Sequence, residues 1–471
     1  MGQQRRNGMV GKVKTAIFSI PGGATIAVPD DVRLMTPFIL AEQGDWFEGE
    51  MHFIRRWLKP GMSVVDVGAN YGLYTITCAQ LVGPEGRVWA YEPASLPRSF
   101  LVQSVANNSL SNVCIAGKAL SDHEGEARLG IAANAELNSL SEVGQSGETV
   151  PLTTLDRESS TWEREIDFLK LDAEGEEVRI LSRAKEFFAH QNPLVMFEYK
   201  HGATVNQGLL QTAAKLGMGI YRHLPGPNVL VPMSTSELAD SYLLNVFGCS
   251  QERARRLSAE GLLVDEIVEL AEIDVAGAKE FVSEWSMAWP WHGCIWPNGR
   301  PLTERPGAAV YLAALAELIR SEMPLGSVAD RLARARRGFA NLLVSLKLDC
   351  NISRLLSAAR VAMDLGERGA SVVFLQEILK LLPEIGEDVA QWLPEPFLPP
   401  DHRHDALEPG KSSAGSVLSI MVDEPLLERS AFSTYFLGER SFPILRRLST
   451  NPLHSAHIER RISTAKRVFP V

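Results

Sequence analysis

The chain has 471 residues, a length that corresponds to about three domains at roughly 150 residues each. Its 47 Lys and Arg against 57 Asp and Glu leave a net charge of −10, which argues against a general nucleic-acid binder with a basic face. Apolar residues at 45% and charged residues at 22% are globular values, so any disorder is local. No stretch approaches the roughly 18 consecutive apolar residues that a membrane helix needs. The N-terminus has basic residues without an apolar signal core behind them, and Arg6 stands where N-myristoylation prefers Ser or Thr. The five cysteines are widely spaced and form no C-x-x-C pair, which suggests neither a disulfide framework nor a zinc site. Reduced thiols in a cytoplasmic protein are the expectation.

Residues 1–49 read as an N-terminal extension, with short strands over Val13–Ile20 and Ala24–Val28 around a Pro21-Gly22-Gly23 turn. Met51, Ile54 and Leu58 have helical spacing, and Lys59-Pro60-Gly61 stops that helix. Apolar and helical runs then alternate. Strands are expected over Ser63–Val67, Arg87–Tyr91, Val113–Lys118, Glu126–Ile131, Ile166–Leu171, Leu194–Tyr199, Gly219–Leu224 and Val229–Met233. Helices are expected over Tyr71–Val82, Ser95–Asn107, Glu174–Ala189 and Thr204–Leu216. Continuous apolar strands separated by helices imply a parallel sheet covered on both faces, over residues 50–248. The last two strands are close enough in sequence to be antiparallel.

Residues 249–392 read as a helical region with a Trp-rich loop at Trp285, Trp289, Trp291 and Trp296. Residues 393–428 read as a Pro-rich, polar linker, and 429–471 as a basic helical tail with eight Lys/Arg against two Glu. Gly366, Val372, Phe374, Ile378 and Pro383 weakly resemble the second half of a tetratricopeptide unit; an ordinary helical hairpin explains them equally well.

The chemistry concentrates in VVDVGANYG, Val64–Gly72. A buried strand ends in Asp66, and Gly68 and Gly72 follow where a helix begins. Glycines there let the backbone approach a ligand, and the helix N-terminus offers free N–H groups. The second strand ends in Tyr91-Glu92-Pro93, and an acid at that position can accept the hydroxyls of a ribose. The dinucleotide pattern G-x-G-x-x-G is absent, which counts against a nicotinamide-dependent oxidoreductase. Asp66 repels phosphate but suits an ammonium or a sulfonium, and S-adenosylmethionine carries both.

Residues 50–248 resemble an FkbM-type S-adenosylmethionine-dependent methyltransferase. The resemblance rests on DVGANYGLYT (66–75), AYEP (90–93), KALSD (118–122), VPLTTLD (150–156), DFLKLDAEGEE (167–177) and PLVMFEY (193–199). It implies an α/β fold: a Rossmann-like seven-strand methyltransferase sheet with its last strand antiparallel and helices on both faces, followed here by a mostly α-helical C-terminal region. It also implies a cofactor site. Asp66, Gly68 and Asn70 would line the methionine end and the sulfonium, and Gly72 would let the helix pack on the strand. Glu92 would bind the ribose, and Ser121 and Asp122 would sit by the adenine. A turn cap is the alternative for Asp122.

Asp172 leaves the apolar strand FLKL at the carboxyl end of the sheet, where open α/β sheets bind ligands. With Glu174 and Glu176 it reads either as a substrate-facing acid or divalent-metal ligand set, or as a cap on the following helix. The family resemblance favours function for Asp172, and no metal is assigned. Glu198 and His201 fall at the next strand end as candidates to remove a proton from an acceptor hydroxyl.

The N-P-P-[YF] element of amine-directed nucleic-acid methyltransferases is missing, since Asn192-Pro193 continues as Leu194-Val195. The resemblance therefore implies O-methylation of a sugar, glycolipid or natural-product hydroxyl, a small-molecule or glycan acceptor, and no nucleic-acid partner. The Trp cluster stacks on sugar rings or plugs a domain seam. The helical region is a candidate for recruiting a protein partner. A non-catalytic scaffold is the alternative, against which Asp66, Gly68, Gly72 and Glu92 count.

Overall fold

The computed structural model describes the chain apart from residues 1–7, 11–12, 131–138, 142–146, 202–203, 234–241, 267, 297–304, 383–392 and 470–471. It contains two compact units. The first holds residues 1–223, 230–239 and 243–263, and the second holds 224–229, 240–242 and 264–471.

The first unit opens with a three-stranded antiparallel sheet: β1 (Gly8–Val10), β2 (Val13–Ser19) and β3 (Thr25–Pro29). The free edge of β3 is closed by polar side chains. Ala27 N donates to Ser104 Oγ at 2.9 Å, and Thr25 N to Asn108 Oδ1 at 2.8 Å. Asn108 Nδ2 donates back to Thr25 O at 2.7 Å. Two helices follow, α1 (Met35–Gln43) and α2 (Glu50–Trp57).

Next come β4 (Ser63–Val67), α3 (Leu73–Val82), β5 (Arg87–Tyr91), α4 (Ser95–Asn107) and β6 (Val113–Ala116). β7 (Ala119–Leu120), β8 (Gly125–Gly130), β9 (Ser139–Ser141) and β10 (Gly147–Thr153) form a separate four-stranded sheet. α5 (Leu155–Ser159) leads to β11 (Phe168–Leu171), α6 (Glu177–Ser182), α7 (Lys185–His190) and β12 (Leu194–Glu198). The unit continues with β13 (Lys200–His201), β14 (Thr204–Val205), α8 (Gln207–Lys215), β15 (Gly219–Leu224), β16 (Val229–Pro232), β17 (Asn245–Cys249) and α9 (Gln251–Ala259).

The main sheet has the order β16-β15-β17-β12-β11-β4-β5-β6. β6, β5, β4, β11 and β12 pair in parallel, and β17 inserts antiparallel to both β12 and β15. This is the seven-strand methyltransferase sheet with one added edge strand, β16. The antiparallel insert is β17, not the Val229–Met233 run, because the chain passes the inner slot, lays down the edge strands first and returns. β4, β11 and all but the last residue of β12 are buried, as two covered faces require. Residues of α2, α3 and α9 cluster on one face of the sheet; residues of α6, α7 and α8 cluster on the other. The single helix expected over Glu174–Ala189 is two short ones, broken at Arg183-Ala184.

The second unit is helical: α10 (Val275–Met287), α11 (His292–Ile295), α12 (Ala308–Glu322), α13 (Val328–Leu348), α14 (Ile352–Asp364), α15 (Arg368–Leu381), α16 (Ala414–Ser430), α17 (Thr434–Leu437), α18 (Phe442–Thr450) and α19 (Ala456–Val468). Its core is plugged by the Trp cluster. Trp291 stacks on Phe397 at 4.9 Å, and the Nε1 atoms of Trp291 and Trp296 donate to the carbonyls of His404 and Leu393. Those indoles are buried and spent on packing. The stretch expected as a linker is part of the same core: residues 393–400 are buried and α16 packs against the cluster. Leu393, Phe397 and Leu398 supply apolar surface that the prolines around them disguise. In the basic tail, Arg447 pairs with Asp423, and Arg461 with Glu428. Among the described residues, no helix is long and apolar enough to cross a membrane.

Candidate active site

The glycine loop follows β4 at the carboxyl edge of the sheet. Gly68 N and Ala69 N both donate to Tyr91 O at 3.0 Å, which fastens the loop to the end of β5. Gly68 has φ +77°, and a Cβ there would lie 1.7 Å from the carbonyl oxygen of Asp172, so only glycine fits between these two strand ends. The space beside Gly72 is filled by Leu101 of α4, whose Cδ1 would be 2.4 Å from a Cβ. Asn70 is left-handed at φ 49°.

Glu92 closes the loop from the other side. Its buried carboxylate accepts Asn70 N at 2.7 Å through one oxygen and Ala94 N at 2.8 Å through the other. Burial pushes this group up to about 7, against the pull of those two N–H groups and of Arg98. Each oxygen keeps a lone pair for a further donor. Asn70 Oδ1 and Asp66 Oδ1 are buried without a hydrogen-bond partner. Acceptors left open in this way suit the ammonium and hydroxyl groups of a ligand lying on the loop.

Asp66 is 1% exposed, and its other oxygen accepts Thr75 Oγ1 at 2.5 Å. Burial pushes its carboxyl upward, while Lys170 and Thr75 oppose the shift. In the sheet register Asp66 sits beside Lys170, a residue that the apolar reading of FLKL passed over. Lys170 is 4% exposed. Its ammonium donates to Asp172 Oδ2 at 2.9 Å, lies 3.8 Å from Asp66 Oδ1, and stands 5.0 Å from the centre of the Tyr74 ring. Burial works against that ammonium, but Asp172, Asp66 and Glu48 together hold it above the ordinary lysine value. Tyr74 in turn donates to Glu48, a carboxyl that burial raises. A lone lysine in a buried strand, two residues before an acid, was the available signal.

Asp172 does not cap the next helix; its carboxylate goes to Lys170. The turn is capped by Glu177, whose Oε1 accepts Ala173 N at 2.8 Å and Gly175 N at 3.3 Å. Glu176 turns away to Ser121, with Ser121 Oγ donating at 2.6 Å. The carboxylates of the segment therefore do not converge on one point. Ser121 is buried on Glu176, whereas Asp122 is half-buried and its carboxyl is lowered by its bond to His123 at 2.7 Å. Glu198, at the end of β12, is half-buried; burial and the surrounding Asp172, Glu174, Glu177 and Glu48 push it up to about 9. The side chain of His201 lies outside the described residues.

Among the described residues, Glu322, Asp364 and His402 of the helical unit have metal-like spacing, beside a cavity of about 350 Å³. Arg360 occupies that group, donating to Glu322 and, at 2.7 Å, to His402 Nδ1. An arginine donor there puts the imidazole proton on Nε2, the nitrogen facing Asp364 at 3.0 Å. That nitrogen has no lone pair to offer a cation.

The sheet order, the glycine loop after β4 and the acid just after β5 are those of the methyltransferase fold. Residues 66–217 match the Methyltransferase FkbM domain. Among solved structures, the chain is similar to the methyltransferase FkbM from Methylobacillus flagellatus KT: 16% identity, TM-score 0.27, covering 40% of this chain and 43% of that one. The likeness thus spans less than half of that protein. A SAM dependent methyltransferase from Aquifex aeolicus is 15% identical over 45% of this chain and 93% of its own, with a TM-score of 0.25. A ribosomal protein L11 methylase from Lactobacillus delbrueckii subsp. bulgaricus is 14% identical over 43% and 76%, with a TM-score of 0.26. No curated protein matches the chain.

Proposed function

We propose that the first unit is an S-adenosyl-L-methionine-dependent methyltransferase acting on a hydroxyl of a sugar, glycolipid or natural-product acceptor. What carries the cofactor reading is the Glu92 carboxylate. It is buried at the end of β5, fixed by two backbone N–H groups, and still able to accept from a ribose. The open acceptor Asn70 Oδ1, on the loop that Gly68 lets press against the Asp172 carbonyl, fits the methionine end. When bound, S-adenosylmethionine supplies a methyl group on a sulfonium.

The chain's own residues then orient the acceptor. Asp172 presents a carboxylate at the sheet edge, anchored through one oxygen to Lys170, and takes the hydroxyl proton. Glu198 keeps its proton at neutral pH, so it donates to an acceptor oxygen across the same edge. Two acidic side chains at this edge favour a neutral, hydroxyl-rich acceptor over an anionic one. Ser121 and Asp122, which follow β7, are assigned to the adenine side of the site.

The test is calorimetric titration of the full chain with S-adenosylhomocysteine, with NADH as control. Saturable binding of the first alone is expected, followed by acceptor screening with a labelled methyl donor. Glu92→Ala should weaken that binding about tenfold or more in a chain that still folds, with a lowered melting temperature because Asn70 N and Ala94 N lose their acceptor. Unchanged affinity in this variant sinks the ribose assignment. A folded chain that binds no S-adenosylhomocysteine returns the unit to a scaffold.

A further inference from the structure

We propose that Lys170 is a positioning residue that sets the net charge facing the cofactor's sulfur, and so the preference of the cleft for a sulfonium over a thioether. This rests on the S-adenosylmethionine reading above.

The geometry comes from three elements. β4 and β11 lie side by side with Asp66 opposite Lys170, and two residues later Asp172 folds back onto the same ammonium. The loop bearing Gly68 is pressed against the Asp172 carbonyl, so Asp66, Lys170 and Asp172 lie directly under the cofactor loop. One ammonium between two carboxylates leaves a single net negative charge, with Glu48 behind Tyr74 as the next acid.

Packing does not explain this lysine. The other three residues of β11 are fully buried and apolar. A charge taken out of water is retained only where it is paired. Here the pairing is incomplete, because Asp66 Oδ1 has no hydrogen bond and stands 3.8 Å from Nζ. The cluster therefore keeps attraction for one more cation. Both ligands bring the same α-ammonium; only the methyl donor adds a second cation, its sulfonium, so the thioether product is held less tightly.

The ratio of two affinities tests this without an acceptor. Full-length chain is titrated with S-adenosylmethionine and with S-adenosylhomocysteine at mildly alkaline pH, so that no proton taken up in place of the lost ammonium masks the change. Lys170→Met should raise the preference for the sulfonium on the order of tenfold. Asp172→Asn, on the accessible edge, should lower it by a similar factor, and it carries the test alone if the first variant does not fold. Lys170→Arg should keep the original ratio. A merely structural lysine moves both affinities together. A ratio unchanged within about twofold in the folded variants overturns the proposal while leaving the cofactor reading intact. Failure of the unaltered chain to bind either compound overturns both.

Discussion

The two units each bury a basic side chain among acids, and they do so differently. In the helical unit Arg354 is fully buried, with Nε and Nη2 donating to the two oxygens of Glu395 at 2.8 and 2.9 Å. Its Nη1 donates to the carbonyls of Ser345 and Asp349, and the guanidinium lies over the Tyr311 ring. Each nitrogen of that guanidinium has a partner. In the sheet unit Lys170 serves two carboxylates, and one oxygen beside it remains without a hydrogen bond. A saturated pair holds a fold together; an unsaturated one, placed at a sheet edge under a glycine loop, is a charge waiting for a ligand.

The sharpest way to break this contrast is Arg354→Ala. It leaves the Glu395 carboxylate buried without a countercharge, with Asn351 Nδ2 still donating to it, and should cost about 3–5 kcal/mol, seen as a lower denaturant midpoint with cofactor affinity unchanged. Arg354→Met combined with Glu395→Leu should recover most of that loss, because apolar replacement of both partners removes the uncompensated charge. If the double variant is no more stable than the single, the ion pair is not the source of the cost.

Gly68→Ala comes next. The added methyl meets the Asp172 carbonyl at a backbone angle that L-residues avoid, so a penalty of about 1–3 kcal/mol is expected together with loss of cofactor binding. A variant with normal affinity would show that the loop does not carry the ligand.

The remaining effect concerns pH. Glu198 has a folded value near 9, above its unfolded value, so the folded state holds the proton longer. Its contribution is present at acid pH and is lost as pH rises from the ordinary carboxyl range through about 9. Glu92 acts in the same direction up to about 7. The melting temperature should therefore fall on alkalinisation, and Glu198→Gln should flatten part of that slope. An identical slope in the variant would place the titration elsewhere.

Much of the sheet unit is legible in sequence. β4, β5, β11 and β12 announce themselves as short apolar runs between helical ones, and Asp66, Gly68 and Glu92 stand at strand ends where position implies a role. β17 is harder, because its place in the sheet depends on a return past two later strands, and strand order in space is not order along the chain. Lys170 hides inside a strand that reads as apolar. Glu48 hides in a segment that reads as an appendage, although its carboxyl bonds Tyr74 of α3. Residues 393–400 are concealed by their prolines, which mark a linker by composition while the leucines and phenylalanine between them pack. In each case the missing information is a partner distant in sequence.

The closed edge of β3 has a consequence for synthesis. Ser104 and Asn108, which satisfy the N–H groups of Ala27 and Thr25, lie 77 and 83 residues further along the chain. Until α4 leaves the ribosome, the newly made N-terminal hairpin presents an apolar strand with an open row of donors and acceptors, a template for pairing with a neighbouring nascent chain. A pause in translation while α4 is still inside the ribosome should therefore cost more native protein than one placed after α4 has emerged.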